Sequence, residues 1–221
     1  MKIFLDTANL DSIKKFNDMG LLDGITTNPT LLSKEGGDPQ KTMEEIVRMI
    51  KGDVSLEVVG TEYSEMMEEG RHLREYGDNV VVKCPMTPDG LRACKSLTTE
   101  GIRVNVTLVF SPNQAILAAK SGAKYVSPFI GRLDDIGKDG IALIKEIKDI
   151  FSNYSYDAEI LVASIRHPIH VVEAGKIGAE VVTLPPPVLD KMLKHPLTDI
   201  GLKNFLADWE KLKTENPNIR I

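Results

Sequence analysis

Two rhythms of apolar and polar positions run along the chain. Short apolar runs rich in β-branched residues alternate with longer stretches in which apolar residues recur every three or four positions. The short runs fall at 2–6 (KIFLD), 22–27, 54–59 (VSLEVV), 79–85 (NVVVKCP), 103–109 (RVNVTLV), 125–130 (YVSPFI), 159–163 and 180–184. β-branched residues favour extended backbone. Runs that are nearly continuous rather than alternating predict a parallel sheet covered on both faces. The longer stretches predict helices. One follows Asn9 or Asp11 and runs through Ile13, Phe16 and Met19. Others span 42–50, 63–76 and 88–97, the last entered from Thr87 with Pro88 in its first turn. Further helices start at Ser111-Pro112 and span 140–151, 168–175 and 197–213. In the last, Leu202, Phe205, Leu206, Trp209 and Leu212 share one face.

About eight strands, each followed by a helical segment at a spacing of roughly 20–30 residues, form the pattern of a (β/α)8 TIM barrel, an α/β fold. A doubly wound sheet is the alternative, but it usually brings a glycine-rich dinucleotide loop, and neither GxGxxG nor a phosphate-binding P-loop occurs. The expected organisation is a single domain over 1–221, with 197–221 as a C-terminal helical extension packed on the barrel or on a neighbouring subunit. A chain of 221 residues, 42% hydrophobic, can fill the core of such a barrel.

Charge and composition then narrow the partners. The net charge is −5 and no basic cluster occurs, so neither nucleic acid nor an anionic membrane is an expected partner. No apolar run reaches the ~20 residues of a membrane span. Asp6, Asn9 and Asp11 interrupt the N-terminus too early for a signal peptide, so the expectation is a cytoplasmic protein. Two cysteines, Cys84 and Cys94, make no disulfide framework. Of the four histidines only His167 and His170 are close, and a metal site would need further ligands at recognisable spacing. No metal and no cofactor is expected.

In this fold, active sites lie at the C-terminal ends of the strands. Asp6, Asn28, Glu57, Lys83, Asn105, Thr107, Ser127, Arg132, Ser164 and Arg166 all fall there, spread over seven strands. Pro29 biases Asn28 to extended angles at the loop mouth. Glu57, inside an apolar strand, needs a partner or a task. Burial of Lys83 near a strand end would disfavour its charged form, which is how a lysine becomes an amine nucleophile towards carbonyls. The competing possibility is that it snorkels to solvent past the strand end. A lysine flanked by two carboxylates suits Schiff-base chemistry, with one carboxylate taking a hydroxyl proton as a C–C bond breaks and the other shuttling protons during imine formation. Two arginines beside serines suit a phosphate monoester. The spacing points to a phosphosugar and leaves the sugar open.

The motifs Leu5-Asp6-Thr7, Gly24-Ile25-Thr26-Thr27-Asn28-Pro29, Val82-Lys83, Asn105-Val106-Thr107-Leu108, Ser127-Pro128-Phe129-Ile130-Gly131-Arg132 and Ala163-Ser164-Ile165-Arg166 resemble the transaldolase family, in its short single-barrel branch. The resemblance implies Lys83 as the Schiff-base lysine, Asp6 as acid/base at the sugar C4 hydroxyl, Glu57 as proton relay through a water, and Thr107 as the residue that helps position that water. It implies Thr26, Asn28, Asn105, Ser127 and Phe129 around the dihydroxyacetone unit, and Arg132, Ser164 and Arg166 at the phosphate. The same branch holds fructose-6-phosphate aldolases, which resemble a pattern of glutamine at position 57 and tyrosine at position 129. Glu57 and Phe129 fall on the transaldolase side. Ile165 departs from the family, where many relatives carry an aromatic. Phosphorylated sugars are the implied partners, and the short members' ring-shaped assemblies imply a homo-oligomer, a pentamer or decamer.

Overall fold

The structure is a computed structural model that describes residues 1–154, 156–217 and 219–220. In chain order it runs β1 (Lys2–Asp6), α1 (Leu10–Asp18), β2 (Gly24–Thr26), α2 (Pro29–Glu35), α3 (Pro39–Met49), β3 (Asp53–Glu57), α4 (Tyr63–Arg74), β4 (Val80–Pro85) and α5 (Pro88–Thr99). It continues β5 (Val104–Val109), α6 (Pro112–Lys120), β6 (Tyr125–Pro128), α7 (Ile130–Asp134), α8 (Gly140–Tyr154), β7 (Glu159–Val162), α9 (Pro168–Ile177), β8 (Val181–Leu184), α10 (Pro186–Met192) and α11 (Pro196–Glu215). The eight strands pair in sequence order, all parallel, and β8 closes on β1. This is the expected (β/α)8 barrel.

Successive strand residues face opposite sides, and that alternation separates two cores. Val80, Val82 and Cys84 of β4 pack into the layer between barrel and helices. Val81 belongs to a separate interior cluster with Phe4, Tyr125, Leu161, Ala163 and Val181. The Phe4 and Tyr125 rings meet edge-on at 5.7 Å. β2 makes room for them with Gly24, where a Cβ would lie 2.5 Å from both the Phe4 ring and the Asp53 carbonyl. Below this tier, at the strands' N-terminal ends, Asp53 pairs with Arg103 and accepts from the Tyr125 hydroxyl at 2.7 Å. Glu159 there holds Lys2 at 2.8 Å and Lys124 at 2.5 Å. Two residues further along the strands, the interior turns polar: Phe4 gives way to Asp6, Gly24 to Thr26, Val81 to Lys83, Tyr125 to Ser127 and Val181 to Thr183. The apolar middle tier is thus a floor, and the polar tier above it opens at the mouth.

Several elements differ from the sequence expectation. β2 is confined to Gly24–Thr26 rather than 22–27. β6 ends at Pro128, not at residue 130; Phe129 makes an isolated bridge to Ala163, and Ile130 begins α7. Proline contributes no N–H to the ladder, and β5 slips register beside it between Val106 and Val109, with Leu108 at φ 60°. The short helices α2, α7 and α10 lie in segments read as loop or strand exit. Helix α11 buries none of its residues against its own barrel, and Phe205 on its apolar face is 74% exposed.

Candidate active site

A cleft of about 680 Å³ opens at the C-terminal end of the barrel. It gathers every site residue named from the sequence except Asn105. Asn105 sits fully buried one tier lower, accepting from the Ser127 hydroxyl at 2.7 Å and donating to Ser55 Oγ at 3.2 Å. It supports Ser127 from behind instead of lining the cleft. The cause is the strand period, which places Asn105 two residues below Thr107 on the same inward face.

Lys83 is 5% exposed, so it does not snorkel to solvent. It stands opposite Glu57 in the register of neighbouring strands. Its Nζ lies 3.0 Å from Glu57 Oε2 and donates to the Thr27 carbonyl at 3.2 Å. Glu57, partly buried at the end of its strand, therefore has its partner. Any proton leaving Lys83 has an acceptor at contact distance.

Asp6 faces the same cleft from β1. Burial pushes its carboxyl above the ordinary aspartate range; the Lys83 charge and the Thr26 hydroxyl pull the other way without cancelling that effect. Thr26 Oγ1 donates to Asp6 Oδ1 at 2.7 Å and lies 2.6 Å from Thr183 Oγ1. A hydroxyl has a single proton to give. Because Thr26 gives its proton to Asp6, Thr183 must donate to Thr26. The three form a directed chain from β8 through β2 to β1. Thr183 was missed in the sequence; a lone threonine in the apolar run 181–184 was its only signal.

Thr107 Oγ1 is buried and, among the described residues, has no hydrogen-bond partner. An unpaired buried hydroxyl costs about 1–3 kcal/mol, so its place on the cleft wall makes it a natural contact for a water or a substrate oxygen. Asn28 is extended (φ −157°), and its Oδ1 caps α2 by accepting from Leu31 N at 2.9 Å. The cap engages the amide oxygen of a residue that also lines the cleft. Phe129 stacks edge-on against Phe110 at 5.8 Å on the rim.

The other end of the cleft is cationic. Arg132 projects from α7, and Arg166 follows β7. Ser164 takes the left-handed conformation (φ 61°), unusual for a residue with a side chain. Its carbonyl accepts from Gly131 N at 3.1 Å, tying the β7 exit to α7. A Cβ on Gly131 would come 2.2 Å from that carbonyl and 2.7 Å from Arg166 Nε, so only glycine lets the Arg166 side chain cross there. The Arg166 guanidinium is held by Asp135 at 2.8 Å, a contact not foreseen from the sequence. Ile165 is buried and lines the cleft. The arrangement joins an amine, two carboxylates and two arginines in one cleft, groups chemically suited to a phosphorylated carbonyl compound.

The family model described as transaldolase/fructose-6-phosphate aldolase matches residues 3–216. A probable transaldolase of Nitrosopumilus maritimus is 78% identical over the full length of both chains. One of Aquifex aeolicus is 59% identical, covering 96% of this chain and 98% of its own. Among solved structures, the crystal structure of inosine 5′-monophosphate dehydrogenase from Legionella pneumophila superposes with a TM-score of 0.56 at 16% identity, over 85% of this chain and 58% of that one. That likeness concerns the barrel alone.

Proposed function

The chain belongs to the transaldolase/fructose-6-phosphate aldolase family, and on that premise we propose that it transfers a dihydroxyacetone unit from sedoheptulose 7-phosphate or fructose 6-phosphate to an aldose phosphate. The observation that carries this reading is the buried Lys83 amine 3.0 Å from Glu57, in a cleft that also holds Asp6.

The Lys83 amine attacks the ketose C2 carbonyl. Glu57, through a water held by Thr107, shuttles the protons as the carbinolamine loses water and becomes a protonated imine. Asp6 takes the proton of the C4 hydroxyl. The C3–C4 bond then breaks, its electron pair moves into the iminium to give an enamine, and the aldose phosphate leaves. Attack of the enamine on an acceptor aldehyde and hydrolysis of the imine complete the cycle. The raised proton affinity of Asp6 suits a base that must also return its proton. Thr26, Asn28 and Ser127 hold the three-carbon unit, while Arg132, Ser164 and Arg166 hold the phosphate. Phe129 supplies no hydroxyl to help water release the bound unit, which favours transfer over free aldol cleavage. The bare apolar face of α11 supports self-association into the ring-shaped homo-oligomer that the family resemblance implies.

The test is glyceraldehyde 3-phosphate formation from fructose 6-phosphate, with and without erythrose 4-phosphate. Product only with the acceptor supports transfer. Equal rates without it identify an aldolase. No product in either case refutes fructose 6-phosphate as donor.

A further inference from the structure

The histidine pair of the HPxH segment takes no part in the chemistry above, yet His170 is buried and fully engaged. Its Nδ1 lies 3.3 Å from the backbone N–H of Arg166, and its Nε2 lies 3.1 Å from Asp134 Oδ2. A backbone N–H can only donate, so Nδ1 must accept. The ring proton then sits on Nε2 and points at the carboxylate. Burial pushes His170 below the ordinary histidine range, with His167 and Arg166 acting in the same direction and Asp134 and Asp139 opposing, which keeps the neutral ring that this pairing needs.

The two partners belong to different elements. Asp134 is the last residue of α7, the helix that carries Arg132. Its other oxygen accepts from Gly140 N at 2.9 Å, pinning α7 to the start of α8. Arg166 belongs to the exit of β7. One imidazole therefore ties together the two segments that present the arginines. We infer that His170 is a positioning residue that sets the separation of Arg132 and Arg166, and through it the affinity for the substrate's phosphate group. The inference rests on the assignment of those arginines to a phosphate.

Three variants separate the two tethers. His170→Asn keeps an acceptor near the Nδ1 position and loses the reach to Asp134. His170→Gln keeps that reach and loses the acceptor. Asp134→Ala cuts the same tether as His170→Asn without touching the histidine. The dissociation constant of inorganic phosphate, by isothermal titration calorimetry, is expected to rise about tenfold in each, the equivalent of one lost hydrogen bond. Borohydride trapping of unphosphorylated dihydroxyacetone on Lys83 reads the barrel mouth without the phosphate site and is expected to stay at the wild-type level. Three results overturn the inference: wild-type protein that binds no phosphate, variants that bind it as tightly as wild type, or trapping that falls in parallel with phosphate binding. If wild type turns over no phosphosugar while the phosphate response holds, the proposed function fails and the role of His170 stands. Turnover with unmoved phosphate affinity means the reverse.

Discussion

The directed chain Thr183–Thr26–Asp6 makes a quantitative claim about pH. Thr26→Val removes the donor 2.7 Å from Asp6 Oδ1 and keeps the side-chain shape. A hydrogen bond to a charged group is worth about 1.5–3 kcal/mol, which is roughly ten- to hundredfold in the balance of charged and neutral carboxyl. Thr26 is 2% exposed, so water does not replace the lost donor freely. The sign follows from the direction of the Asp6 shift. Its proton affinity is already raised by burial, and Thr26 is one of two groups holding it down. Losing Thr26 raises it further. Because Asp6 must be ionised to accept the C4 hydroxyl proton, activity falls as pH drops through its folded-state value. The acidic limb of kcat/KM therefore moves to higher pH in Thr26→Val, and the rate at a pH on that limb falls about ten- to hundredfold. On the alkaline plateau, where Asp6 is ionised in both proteins, only the part of Thr26 in holding the three-carbon unit is lost. Thr183→Val keeps the bond to Asp6 and removes only the donor that polarises it, so its limb moves the same way by about threefold or less. The assay is a pH profile of glyceraldehyde 3-phosphate release with erythrose 4-phosphate present. A Thr26→Val profile that coincides with wild type, or moves to lower pH, refutes the reasoning. So does a larger shift in Thr183→Val than in Thr26→Val.

Three further outcomes follow from particular contacts. Gly24→Ala, whose Cβ would stand 2.5 Å from the Phe4 ring and the Asp53 carbonyl, is expected to lose about 3 kcal/mol in urea unfolding; an unchanged midpoint contradicts the packing of the interior floor. Burial raises Glu159, but its bonds and charges with Lys124 and Lys2 outweigh that and hold it low. A depressed carboxyl contributes stability above its unfolded value and loses it as pH falls through the folded one, so below the ordinary glutamate value of about 4.3 wild type should lose more stability than Glu159→Gln; parallel acid unfolding curves would remove the assignment. Glu57→Gln combined with Phe129→Tyr is expected to raise release of free dihydroxyacetone from fructose 6-phosphate, and no rise would refute the roles given to those positions.

Much of this site was legible because strand period and barrel geometry act together. A polar residue near the end of an apolar run lands at the mouth, which places Asp6, Glu57, Lys83 and Thr107 without further information. The same period sets the depth of Asn105: two residues below Thr107, it keeps the inward face and meets Ser127 beneath the cleft wall. Thr183 escaped because one threonine in a four-residue strand looks like ordinary β propensity, and its role exists only through Thr26, two strands away across β1. Asp135 meets Arg166 across 31 positions of the chain, and Asp134 meets His170 from a different element, proximities no local pattern encodes. Helices α2, α7 and α10 are too short to show a 3.6-residue period; each begins at or beside a proline or at a strand exit, where loop and helix start look alike. The apolar stripe of α11 was plain in the sequence, but a stripe does not say which surface covers it.

The central claim is the covalent role of Lys83, and borohydride trapping tests it most directly. Wild type and Lys83→Ala are incubated with fructose 6-phosphate, reduced with borohydride, digested and analysed by mass spectrometry. The account predicts one modified lysine, Lys83, carrying the mass of a reduced three-carbon or six-carbon imine, and no adduct in Lys83→Ala. An adduct at another lysine, or adduct formation that persists in Lys83→Ala, would contradict it.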